Sequence, residues 1–147
     1  MYLANALAPS QRVLILASDS FDEEATVICI HALRNAGLAV SLVGLTAGLV
    51  TGSRGITLQP DLSLDELPPG DGTGLVIFPG GTRCATALLA DPQVHRLADR
   101  AVAGGGQVAV LATAVPVAER LLQVPFVQQS DLSIHHFIAQ LLRALGA

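Results

Sequence analysis

Three short, nearly unbroken apolar runs constrain this chain more than any other feature: Arg12-Val13-Leu14-Ile15-Leu16-Ala17, Leu75-Val76-Ile77-Phe78 and Val108-Ala109-Val110-Leu111-Ala112. A strand with one face in water alternates apolar and polar residues, whereas a strand apolar at every position has both faces covered. Each run therefore reads as a strand inside a sheet with helices on either side. Leu38 to Leu45 reads as a further strand, and the Gly/Pro/Asp-rich stretch from Pro68 to Gly74 as a surface connection.

The segments between these runs have helical spacing. Ala25, Ile28, Cys29, Ala32, Leu33 and Ala36 follow Ser20 and Glu23, which have capping-box spacing, and Gly37 supplies the stop. Val27 and Ile30 lie off this stripe and give the helix a second apolar face, as burial or a subunit contact would require. Asp91-Pro92 opens another helix through Val94, Leu97, Ala98, Ala101 and Val102, ended by Gly104-Gly105-Gly106. The last stripe, Ile134, Phe137, Ile138, Leu141, Leu142 and Leu145, sits behind a cap at Ser130/Asp131 or Ser133. Strands alternating with helices predict an α/β fold: a flavodoxin-like, doubly wound parallel sheet with helices on both faces. At 147 residues the chain reads as a single domain over residues 12–147, preceded by an extension of residues 1–11.

Sheets of this kind carry their sites beyond the carboxyl ends of the strands. The segments to search are Ser18 to Glu24, Pro79 to Cys84 and Ala112 to Pro116. Gly80 and Gly81 let the backbone turn with little side-chain cover and present amides to an anion or oxyanion; the plainer reading is a tight turn. Cys84 stands near an expected helix N-terminus, where partial positive charge would favour a thiolate. The competing reading is an inert packed thiol, which is also the reading of Cys29. Asp22, Glu23 and Glu24 could supply a general acid or base, or could simply complement the helix dipole. A hydroxyl at Thr113 attacks a substrate only with a base beside it, and none stands near in sequence, so turn hydrogen bonding is its simpler role. His31, His95, His135 and His136 are not spaced as a metal pair, since adjacent helical residues do not share a face.

Composition excludes several classes. The chain is 51% hydrophobic and 14% charged, a surplus that a doubly covered sheet plus a subunit interface would absorb. Its uncharged stretch from Asn35 to Ser53 is broken by glycines and reads as a strand and loop, not a membrane span. Met1 to Gln11 has neither a basic residue nor a long apolar core, so the expected location is cytoplasmic. All eight basic residues are scattered arginines and the net charge is −4, which disfavours nucleic acid. Two cysteines suggest no disulfide or metal framework. A phosphoacceptor role fails because Phe78-Pro79 carries no aspartate and the chain has no lysine. The acidic Ser18 to Glu24 loop likewise repels a flavin phosphate, and no cofactor is expected.

Taken in order, the strand-end segments resemble the ThiJ/PfpI superfamily, with its class I glutamine amidotransferase-like fold. The resemblance rests on Glu23-Glu24-Ala25-Thr26-Val27 with Leu33-Arg34-Asn35-Ala36-Gly37, on Ser53-Arg54 and Pro60-Asp61, on Val76-Ile77-Phe78-Pro79-Gly80-Gly81, and on Val108 to Pro116. It runs from about Arg12 to Pro116 and resumes at the last helix. It implies a centre built from a glutamate early in the first helix, a cysteine at a strand-to-helix elbow and often a later histidine. Counting back from Ala36-Gly37 puts the glutamate position on Ala25, beside Glu24. Anchoring on Pro116 puts Thr113 at the cysteine, because Thr113-Ala114-Val115-Pro116 replaces Cys-Ala-Gly-Pro. The histidine segment is shortened between Val117 and Ser130. The three departures from that pattern point to a scaffold without the Cys/Glu/His set: a non-catalytic binding, regulatory or chaperone-like homodimer. Gly80, Gly81 and Ala114 would line its pocket for a small carbonyl or carboxylate compound. The alternative is a cofactor-independent hydrolase, glyoxalase or deglycase with a relocated nucleophile, Cys84 or Thr113, assisted by Glu23 or Glu24.

Overall fold

β1 (Arg12–Ala17) is central because Val13 to Ala17 have no wet face to turn to: all five are buried. The computed structural model describes residues 12–67, 73–129 and 132–146. β1 pairs on one side with β2 (Val40–Gly44), Ile15 opposite Leu42, and on the other with β6 (Thr73–Phe78), Ile15 opposite Ile77. β5 (Leu62–Ser63) extends the sheet beyond β2, and β7 (Gln107–Val110) and β8 (Val127–Gln128) extend it beyond β6. The order is β5-β2-β1-β6-β7-β8 and every pair is parallel.

The helices are α1 (Glu23–Asn35), α2 (Thr82–Leu89), α3 (Pro92–Ala103), α4 (Val115–Leu121) and α5 (Ile134–Ala144). α1 packs on α5, while α2 packs on α3 and α4. Right-handed crossovers running in opposite directions from the middle of the sheet put these two groups on opposite faces. The chain leaves β1 toward β2 and β5, then returns to β6 on the other side of β1, so the order reverses between β1 and β6. Loops diverge at that switch point and leave a crevice at the carboxyl edge.

Local chemistry explains most boundaries, and corrects some expected from sequence. Ser20 does not cap α1: its φ of 73° is left-handed, whereas an N-cap residue is extended. Asp22 is the cap, accepting from the Ala25 amide at 3.4 Å. Asp91 caps α3 with Pro92 at its first position, and Ser133 caps α5 by accepting from His136 N. The alternative cap, Ser130/Asp131, lies outside the described residues, as does the expected extension of residues 1–11. β7 stops at Val110, short of Ala112, because the Ala112 amide goes to the Gln129 side chain; Ala112–Ala114 then form a single 3-10 turn into α4. The stretch after Pro116, brief as it is, still supplies the rest of α4 and the edge strand β8.

A feature unannounced by the sequence is the antiparallel hairpin of β3 (Val50–Thr51) and β4 (Thr57–Leu58), which pairs Val50 with Leu58. Among the described residues, no helix is long and apolar enough to cross a membrane.

Candidate functional site

The crevice at the switch point is built from three strand ends and the hairpin. After β1 the chain passes through Ser18, Asp19 and Ser20, and Phe21 then plugs into the core. The hairpin docks on this loop through backbone bonds: Ser20 N donates to Thr51 O at 2.8 Å and Ser53 N to Phe21 O at 2.9 Å. Asp19 Oδ1 accepts from Thr51 N at 3.0 Å.

Glu23, the first residue of α1, is buried, and its carboxylate fastens the hairpin tip. Oε2 accepts from Arg54 N at 2.7 Å and Ile56 N at 3.1 Å, and Ser53 Oγ donates to Oε1 at 3.3 Å. Gly52 is required here, because a Cβ would collide with the Glu23 side chain. Burial pushes the Glu23 carboxyl up, but the bonds from Ile56, its own amide, Arg54 and Ser53 outweigh that, and its pKa lies below the ordinary 4.5. Glu23 is therefore a buried carboxylate committed to holding a loop. Its own amide, a free donor of the first turn of α1, is among its partners, as the dipole reading expects.

After β6, Pro79 and Gly80 are buried and Gly81 adopts φ +110°, a conformation that favours glycine. Gly80 O accepts from Asp22 N at 2.9 Å, which ties the β6 turn to the start of α1. Thr113, on the turn after β7, accepts at Oγ1 from Gly81 N at 2.7 Å. A Cβ on Gly80 would lie 3.2 Å from Asp22 Cβ and 3.3 Å from Thr113 Oγ1, tighter than ordinary packing, so these two side chains close in on the turn from either side. Sequence proximity offers Thr113 no acid or base; the fold sets Asp22 across the Gly80 turn from it, lining the same cavity, with no hydrogen bond between the two.

Gln129, which sequence reasoning did not single out, holds the Thr113 turn. It is buried, its Oε1 accepts from Ala112 N at 3.0 Å, and its Nε2 donates to Leu132 O at 3.0 Å. A buried amide with both ends satisfied fixes backbone on each side. Nothing in the sequence marks it, since its partners are backbone groups.

The crevice opens into a cavity of about 790 Å³. Its polar lining is Asp22, Glu23, Glu24, Ser53, Arg54 and Thr113; Val27, Ile28 and Ile56 form its apolar side. Of the site candidates singled out in sequence, Asp22, Glu23, Glu24, Gly81 and Thr113 share this cavity, Glu24 being exposed. Gly80 and Ala114 are buried and do not line it. Cys84 is fully buried, and burial pushes its thiol up to about 12, with the negative Asp19 nearby reinforcing the rise and a Ser18 backbone hydrogen bond opposing it. Cys29 is raised to about 12 by burial alone. Among the described residues, no group of three or more His, Cys, Asp or Glu gathers to hold a metal ion.

The chain is similar to known proteins along this framework. A deglycase of Thermococcus kodakarensis is 33% identical over 92 residues, covering 63% of this chain and 50% of the deglycase. The protein dj-1beta of Drosophila melanogaster is 30% identical over 109 residues, covering 74% of this chain and 58% of its own. This chain thus spans about half the length of the curated relatives it matches. Among solved structures, a cysteine-to-alanine mutant of a DJ-1 superfamily protein from Salmonella typhimurium superposes with a TM-score of 0.77 at 22% identity, over 92% of this chain and 91% of that one. Drosophila DJ-1beta gives a TM-score of 0.77 at 21% identity, over 92% and 90%. The sequence model of the DJ-1/PfpI family matches residues 11–124, far more than half of the chain, and this protein belongs to that family.

Proposed function

We propose that this chain is a DJ-1/PfpI-type binding domain that works as a cytoplasmic homodimer without the thiol chemistry its resemblance implies. The observation that carries this reading is Thr113 Oγ1 at 2.7 Å from the Gly81 amide, a hydroxyl bound into the turn where a nucleophile would stand. A hydroxyl is a weak nucleophile unless a base removes its proton. The other candidate, Cys84, is sealed in the core, where burial pushes its pKa up to about 12 and keeps the thiol protonated at neutral pH. Cavity and scaffold persist, which favours binding of a small molecule. Dimerisation is supported by the apolar rim, where Val27 is 46% and Ile56 53% exposed on neighbouring elements.

A second reading, a deglycase-type hydrolase using Thr113, is favoured by the relatives named deglycases and by Asp22 beside Thr113. One assay separates the two. On the binding reading, methylglyoxal loss in the presence of the protein matches that with Thr113→Val and with no protein. Turnover that Thr113→Val abolishes would establish the hydrolase instead.

A further inference from the structure

The cavity is unfinished on its outer side. A site that holds a small molecule buries most of it, yet here Val27 is 46% and Ile56 53% exposed, with Glu24 and Arg54 exposed beside them. This rim consists of two strips. α1 contributes Glu24 and Val27, one turn apart, and the β3–β4 hairpin contributes Arg54 and Ile56. Each strip carries one charge and one half-exposed aliphatic group, and the two charges are opposite. Neither charge is used within the chain. Among the described residues Glu24 makes no hydrogen bond or ion pair, and Arg54 is bound only through its backbone amide, which donates to Glu23, so its guanidinium is unpaired.

In a two-fold interface residue i of one copy meets residue j of the other and j meets i, so a surface binds itself when it holds both halves of a match. An axis over the seam between α1 and the hairpin lays the acidic strip of each copy on the basic strip of the other. From this arrangement we infer that a second copy of the chain closes the cavity, Glu24 of each copy pairing with the partner's Arg54 and Val27 packing on the partner's Ile56. The aliphatic contacts supply the buried apolar area, and the charges fix the register, because a shifted register sets like charges against each other. Each cavity is then walled by both copies, which links entry of a ligand to self-association. The inference rests on the dimer reading and adds the residues that register the interface and the site that it covers.

Sedimentation of the intact chain with reciprocal charge reversals tests it. Glu24→Arg and Arg54→Glu each set like charges face to face at two symmetric places, and each should weaken the dimer at least about tenfold. The neutral change Glu24→Gln removes attraction without adding repulsion and should weaken it about threefold. An equimolar mixture of Glu24→Arg and Arg54→Glu restores opposite charges at both places and should sediment as a dimer within about threefold of wild-type affinity. A reversal moves the net charge of −4 by two units, so both variants stay negative and general attraction does not bring them together. Both side chains are exposed, and unchanged far-ultraviolet circular dichroism of each variant checks that the fold is kept. Anilinonaphthalene sulfonate, a dye that brightens on apolar surface, should stay dim with the wild type and the mixture and brighten with either reversal alone. A wild-type monomer would overturn the dimer reading and this inference with it. A wild-type dimer indifferent to both reversals, a mixture no tighter than its separate components, or a wild-type dimer as bright with dye as the reversed variants would overturn the inference and leave the dimer reading standing.

Discussion

Cys84 and Glu23 both stand in first helical turns, and in each the surroundings override what position alone would give. The helix N-terminus should depress the Cys84 thiol, yet full burial raises it to about 12. Both thiols should therefore resist a chromogenic disulfide reagent in the native protein at mildly alkaline pH and react together after denaturation. Prompt labelling of one thiol in the folded state would contradict the packing described. Cys84→Ala should cost about 1 kcal/mol of stability, the scale of a small core truncation, read as a lower denaturant midpoint with ligand binding unchanged. At this scale the sequence marks residues whose chemistry is intrinsic: Gly80-Gly81 as a turn and Thr113 at a strand end are legible. The Asp22–Thr113 proximity and the Gln129 clamp are not, because each is created by long-range folding and involves residues unremarkable in their own neighbourhoods.

The β3–β4 hairpin shows what escapes a periodic reading at the level of elements. Strands of two residues have no period, and its register comes from anchors outside it: Asp19 on Thr51, and Glu23 on Ser53, Arg54 and Ile56. α1 is legible because its apolar stripe spans three turns, but the sequence favours Ser20 as its cap, two residues before Asp22, since Ser and Asp are both good caps and only backbone geometry separates them. The Glu23 anchor also makes the hairpin responsive to acid. A carboxyl whose folded pKa lies below its ordinary 4.5 contributes stability that is fully present above that value and lost as pH falls through the folded one. Hairpin docking should thus hold at neutral pH and loosen only below 4.5. In an amide NMR titration, Arg54 and Ile56 resonances should move together in that acid range, and Glu23→Gln should shift them already at neutral pH. Unchanged Arg54 and Ile56 shifts in Glu23→Gln would show that the carboxylate does not carry the hairpin.

At the scale of the whole molecule, uninterrupted apolar strands are interpretable from sequence because only a sheet covered on both faces accommodates them. The switch of direction between β1 and β6 agrees with the flavodoxin-like reading. What the sequence leaves open is how much apolar surface the single chain fails to cover. α1 spends one face on β2 and α5, but its second face, with Val27 exposed and Ile30 half-buried, continues onto Ile56 and Leu58 of the hairpin. A second hollow of about 570 Å³ runs along the same helix, with Val27, Ile30, Leu42 and Leu58 on its apolar side and His31, Arg34, Asn35, Gln59 and Asp61 at its polar margin, so Val27 joins two apolar stretches. Self-association through this face would cover it, and a two-fold dimer would place α1 of one copy against the same surface of the other. The chain should therefore sediment as a dimer at micromolar concentration. Val27→Asp with Ile56→Asp should shift it to monomer while leaving the far-ultraviolet circular dichroism unchanged, because both side chains are about half exposed in the single chain. A wild-type monomer across that range, or a double variant that still sediments as a dimer, would place the association surface elsewhere or remove it altogether.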